Sequence, residues 1–128
     1  MPRVLVIDDQ AHVRATVLTV LRANGFEVAT ANDGKSGLQR FADSQFDLVI
    51  VDVYMPELDG VKVIRQLRAR AANLPIVAMS GVLLGESRHT ALDIFPNASD
   101  LSDIVCLKKP FRSSELMAAV EKALVLAA

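Results

Sequence analysis

The chain has 128 residues, 52% of them hydrophobic and 23% charged, with a formal net charge of −1. That balance is globular; it excludes a disordered or fibrous chain and, with no long basic stripe, points away from direct nucleic-acid binding. The length suits one domain around one core, so residues 1–128 are read as a single unit. Cys106 is the single cysteine and cannot close an internal disulfide, and Met1-Pro2-Arg3 runs straight into a strand-like stretch without signal-peptide features. A reduced, cytoplasmic setting is expected. No apolar run approaches the roughly 20 residues that cross a bilayer, and the last stretch from Ala118 is broken by Glu121 and Lys122. Membrane insertion is not expected.

In chain order, the first strand is predicted over Arg3 to Asp8. A helix follows, in which Val13, Val17, Leu18, Val20 and Leu21 repeat at helical spacing and Asn24-Gly25 supplies the stop. Phe26 to Thr30 reads as the second strand, and Leu38 with Phe41 marks the second helix. Phe46 to Asp52 is the third strand; Val61, Ile64 and Leu67 mark the third helix, which also carries Arg65, Arg68 and Arg70. Pro75 to Ser80 is the fourth strand. From Gly81 to Asp103 no element is assigned, because Gly85, Pro96 and Asn97 interrupt every helical period. Ile104 to Lys108 is the fifth strand, and Leu116, Val120, Ala123 and Leu124 mark a last helix that Ser113 or Ser114 would cap. Buried-strand runs alternating with amphipathic helices give an α/β fold: five parallel strands covered on both faces.

Ligands of an open parallel sheet bind beyond the carboxyl ends of its strands. Those ends carry Asp8-Asp9, Asp52, Ser80 and Lys108-Lys109. Along a strand Asp8 and Asp9 would point to opposite faces, so both serve one site only if the strand stops there and the chain turns. Three close carboxylates repel one another unless a cation sits among them. Mg²⁺ is the cation that prefers a few carboxylate oxygens together with water and phosphate oxygens. A carboxylate can itself attack phosphorus when metal and ammonium neutralise the phosphoryl oxygens, and Asp52 is the candidate nucleophile. It is followed by the turn Met55-Pro56-Glu57-Leu58-Asp59-Gly60.

Val4-Leu5-Val6-Ile7-Asp8-Asp9, then Asp52-Val53-Tyr54-Met55-Pro56-Glu57-Leu58-Asp59-Gly60, then Ser80, then Lys109-Pro110-Phe111 resemble a response-regulator receiver domain over nearly the whole chain. The resemblance implies a doubly wound, flavodoxin-like (βα)5 fold with strand order 2-1-3-4-5. It implies phosphoryl transfer onto Asp52 from a sensor histidine kinase, a phosphotransfer protein or a small phosphodonor. Asp9, Asp52 and the carbonyl of Tyr54 would ligate Mg²⁺, with Asp8 acting largely through water. Ser80 would bind one phosphoryl oxygen and Lys109 another, and the Lys109–Pro110 bond would be cis. The chain would be a phosphoacceptor rather than a multiple-turnover enzyme, and would signal to a downstream protein partner through the family's helix between the fourth and fifth strands, the fifth strand and the last helix. Whether it also forms a homodimer is left open.

The chain departs from the family pattern in two places. Cys106 occupies the position, three residues before Lys109, where a Tyr or Phe usually reports phosphorylation, and the segment from Ser80 to Lys109 is several residues longer than usual. An interaction module that works without phosphate, or the receiver of a longer transcriptional regulator, therefore stays open. Plainer readings exist for single residues: Asp8 and Asp9 as a cap of the first helix, Ser80 as a small strand-end residue, Lys108 as a surface charge and Cys106 as a small buried residue. His12 reads as a surface histidine, and His89 has no second ligand at zinc spacing. A phosphatase of the haloacid dehalogenase type needs an Asp two residues after its nucleophile, where this chain has Tyr54.

Overall fold

The computed structural model describes residues 2–53, 60–81, 101 and 103–127. These form β1 (Arg3–Ile7), α1 (Ala11–Ala23), β2 (Glu27–Ala31), α2 (Gly34–Asp43), β3 (Leu48–Asp52), α3 (Gly60–Arg70), β4 (Ile76–Ser80), β5 (Val105–Lys108) and α4 (Ser113–Ala127). The strands make one parallel sheet in the order β2-β1-β3-β4-β5. This is the expected doubly wound receiver topology.

Alternation along the strands builds two cores. Leu5, Ile7, Val49, Val51, Ile76 and Ala78 face Leu38 of α2 and Val63, Ile64 and Leu67 of α3. Val4, Val6, Leu48, Ile50, Val77 and Met79 face Val13, Val17 and Leu21 of α1 and Leu116, Val120 and Ala123 of α4. Every residue of β3 and β4 is buried, which is why these strands read as unbroken apolar runs. The chain order reverses between β1 and β3, leaving a crevice beyond their carboxyl ends where Asp8, Asp9 and Asp52 lie.

Several element ends differ from expectation. Phe26 and Phe46 precede their strands rather than opening them: each packs half-buried against a core, Phe46 stacking on Phe41 at 6.4 Å, so apolar character there serves packing and not ladder pairing. Ser113 and Ser114 lie inside α4 instead of capping it. Its first turn is closed by Glu115, whose carboxylate accepts the Arg112 N–H at 2.8 Å. The Asn24-Gly25 stop is present, with Gly25 at φ +89°. The expectations for Tyr54, the turn from Met55 to Asp59, His89 and the unassigned stretch over 82–100 lie outside the described residues.

Candidate functional site

β1 ends at Ile7, so Asp8 and Asp9 both leave the strand and turn toward the same crevice, as a shared site requires. Asp8 still donates its N–H to Ala31 O at 3.1 Å, an extension of the β1–β2 ladder that pins the residue in place. Carboxylate oxygens of Asp8, Asp9 and Asp52 lie within 4.8 Å of one another. Asp8 and Asp52 are buried, at 0% and 3% exposure, while Asp9 is open to solvent. Neither aspartate caps α1: Gln10 holds the cap position, and Asp8 Oδ1 accepts its N–H at 2.8 Å.

Asp52 closes β3, and Val53 N–H donates to Met79 O at 2.9 Å to keep the strand end seated against β4. Gly60, the first residue of α3, comes so close that a Cβ there would collide with the Asp52 carbonyl oxygen and with Val53 Cα. Glycine is what allows α3 to start against the acidic strand end. Ser80 closes β4 at 1% exposure, and its carbonyl accepts the Lys109 N–H at 2.7 Å. The Lys109–Pro110 peptide bond is cis.

The Lys109 ammonium reaches into the crevice, 2.8 Å from Asp8 Oδ2 and 3.3 Å from Asp52 Oδ2. Five of the polar positions singled out by sequence are thus gathered at one end of the sheet: Asp8, Asp9, Asp52, Ser80 and Lys109. Such a set of hard oxygen donors suits a dication, and the neighbouring ammonium partly offsets three negative charges. Lys108 is half-buried on β5, in register with Ser80, rather than a free surface charge. Cys106 is also only half-buried, with its thiol 3.9 Å from Ile104 O. His12 is exposed on α1, as expected.

Two participants were not foreseen. Gln10 Oε1 accepts from Lys109 Nζ at 3.2 Å, and Arg14 Nη1 donates to Asp8 O at 2.7 Å. Both follow the acidic pair closely in sequence, but that proximity alone does not say which side chains turn inward. A cavity of about 510 Å³ opens beside them, lined by Gln10, His12, Thr16, Gly81, Lys109 and Phe111. No helix among the described residues is long and apolar enough to cross a membrane.

Comparison with known proteins points the same way. Transcriptional regulatory protein PrrA of Mycobacterium tuberculosis is 39% identical over 120 residues, covering 94% of this chain and 48% of the relative. Regulatory protein AtoC of Escherichia coli is 35% identical over 124 residues, 97% of this chain and 25% of the relative. The chain thus spans about half the length of PrrA and a quarter of AtoC. Among solved structures, chemotaxis protein CheY4 of Vibrio cholerae superposes with a TM-score of 0.84 at 27% identity, covering 97% of this chain and 99% of that one. Response regulator TrrA of Thermotoga maritima, solved with Mg²⁺-BeF, gives 0.81 at 27% identity, covering 97% of this chain and 100% of that one. Residues 4–121 match the family described as response regulator receiver domain, and the chain belongs to that family.

Proposed function

We propose that this receiver takes a phosphoryl group onto Asp52 in a Mg²⁺-dependent reaction, as one step of two-component signalling. The observation that carries the reading is the buried Asp52 carboxylate, 3.3 Å from the Lys109 ammonium and inside a three-carboxylate cluster. An Asp52 oxygen attacks phosphorus, the O–P bond forms as the P–N bond of a phosphohistidine breaks, and the imidazole nitrogen leaves with the electron pair and takes up a proton. Lys109 pairs with one phosphoryl oxygen and the Ser80 hydroxyl with another, so the charge gathering there is met by fixed partners. Asp9, Asp52 and the Tyr54 carbonyl would hold Mg²⁺, with Asp8 acting through water. When bound, Mg²⁺ supplies positive charge to the phosphoryl oxygens.

The donor in this reading is a sensor histidine kinase or a phosphotransfer protein, in the cytoplasm. The chain is a stoichiometric phosphoacceptor and not a multiple-turnover enzyme, since Tyr54 stands where a phosphatase of the dehalogenase type needs its second aspartate. We read residues 1–128 as one receiver unit. PrrA, named a transcriptional regulatory protein, is about twice as long as the stretch it shares with this chain, which favours a receiver that controls an output domain or partner. Cys106 at the usual aromatic position favours an unusual output surface.

The test is intact-protein mass after incubation with acetyl phosphate or phosphoramidate and Mg²⁺. One phosphoryl adduct is expected for the wild type, and none for Asp52→Asn or with a chelator. An adduct that survives Asp52→Asn would move the acceptor elsewhere, and no adduct under any condition would favour a module that works without phosphate.

A further inference from the structure

This inference rests on the phosphoryl-transfer reading above and concerns Gln10. An ammonium carries three donors. Among the described residues, the Lys109 ammonium donates to Asp8 Oδ2 at 2.8 Å and to Gln10 Oε1 at 3.2 Å, and it forms an ion pair with Asp52 Oδ2 at 3.3 Å. Asp52 alone of these acceptors changes in the transfer: its carboxylate becomes an acyl phosphate, and the ammonium turns from a carboxylate oxygen to a phosphoryl oxygen. Asp8 and Gln10 keep their chemistry from start to finish. They are the fixed points that hold Nζ while its third partner is exchanged.

These two anchors are joined to each other. The Gln10 N–H donates to Asp8 Oδ1 at 2.8 Å, and the other oxygen of the same carboxylate binds Lys109. Asp8, Gln10 and Lys109 therefore close a small ring of hydrogen bonds over the buried aspartate. Gln10 forms its outer side, on an exposed residue at the start of α1.

We propose that Gln10 is a positioning residue: its neutral amide oxygen anchors the Lys109 ammonium beside Asp52 without cancelling the positive charge that the phosphoryl oxygens need. Neutrality matters because Lys109 already faces two carboxylates. A third negative charge at position 10 would overcompensate the ammonium and repel an incoming phosphoryl group. An apolar side chain there would leave one donor of Nζ to water and loosen its placement, because the bond lost is charge-assisted and not replaced by protein.

The experiment compares phosphorylation rates of wild type, Gln10→Leu and Gln10→Glu at saturating Mg²⁺, with dianionic acetyl phosphate and with monoanionic phosphoramidate. Mg²⁺ affinity by calorimetry and the melting temperature are measured on Gln10→Leu. Gln10→Leu is expected to slow both donors alike by about fivefold, with Mg²⁺ affinity and melting temperature kept, because the bond that is lost is the one from the Lys109 ammonium to the exposed Gln10 side chain. Gln10→Glu is expected to slow acetyl phosphate about threefold more than phosphoramidate, since repulsion scales with donor charge. A purely structural role would not separate the donors by charge. Unchanged Gln10→Leu rates, an unchanged donor ratio in Gln10→Glu, or a fall that tracks lost Mg²⁺ affinity or stability each overturn the proposal. A wild-type chain that accepts no phosphoryl group overturns the transfer reading together with this inference, whereas a labelled wild type with unaffected variants overturns this inference alone.

Discussion

Ion pairs stand at both ends of the sheet, and they differ in how much water reaches them. At the carboxyl ends, Lys109 meets Asp8 and Asp52, whose side chains are 0% and 5% exposed. At the amino ends, Arg3 meets Glu27 at 3.4 Å with side chains 40% and 58% exposed, and Arg68 meets Asp103 at 3.0 Å with the aspartate 56% exposed. The second set fastens the fold in ordinary ways: Arg3 also lies 4.9 Å over the Phe46 ring, and Arg68 Nε donates to Leu74 O. Exposed pairs add little to stability, whereas removing carboxylates from water is expensive even with a good partner. The acidic end thus carries a standing electrostatic cost that packing does not require, and such a cost at the topological switch point of a parallel sheet marks a site of chemistry.

The strongest test of that contrast removes its central cation. Lys109→Met leaves Asp8 buried beside two other carboxylates, and the metal-free protein is expected to lose about 3 kcal/mol in denaturant unfolding. Asp52→Asn should act with the opposite sign, gaining about 1 kcal/mol without metal because one repelling charge is gone while Lys109 keeps Asp8. Mg²⁺ should then stabilise wild type far more than Asp52→Asn. If both changes destabilise equally, the crevice is held together by its charges, and the contrast between the two ends collapses.

A smaller effect belongs to Asp33, which lies at the same end of the sheet yet does structural work. Its Oδ1 accepts the Ser36 N–H at 2.7 Å and caps α2. That bond from the Ser36 backbone, helped by the Ser36 side chain and by Lys35, holds the Asp33 carboxyl below its ordinary value. Asp33→Ala is expected to cost about 1 kcal/mol near neutral pH. A depressed folded-state pKa means the contribution is complete above the unfolded value and is lost as pH falls through the folded one. The gap between wild type and Asp33→Ala should therefore narrow only in strong acid. A gap that holds constant through that range would show that the carboxylate charge is not what caps the helix.

The fold was legible because β1, β3 and β4 are short runs with apolar centres whose carboxyl ends turn polar; Asp8, Asp52, Ser80 and Lys109 could be named because each lies at or just past the end of a strand. What stayed hidden was pairing. Lys109 and Asp8 are 101 residues apart, and a strand-end list places both near the crevice without saying that one binds the other. Gln10 and Arg14 were passed over because an exposed polar side chain at a helix start has many partners open to it. Asp33 was missed for the opposite reason: Asp33-Gly-Lys-Ser36 carries a cap signal, but no apolar period begins until Leu38 to draw attention to it. Phe26 and Phe46 were placed in strands since β propensity and simple burial favour the same residues.

The smallest expected effect lies at the amino ends and is the control on the others. Glu27 is half of an open pair with Arg3, whose backbone N–H is separately held by Asp47 Oδ2 at 2.7 Å and whose guanidinium rests on Phe46. Glu27→Ala removes one of several restraints on Arg3 and leaves no buried charge behind, so unfolding free energy should change by less than about 0.5 kcal/mol, and less still in high salt. Phosphorylation rates should not move, because the pair stands at the end of β1 and β2 opposite to Asp52. A loss comparable to that of Lys109→Met would mean that burial does not separate the two sets of ion pairs, and the assignment of the acidic end as the costly one would have to rest on its metal and phosphoryl chemistry alone.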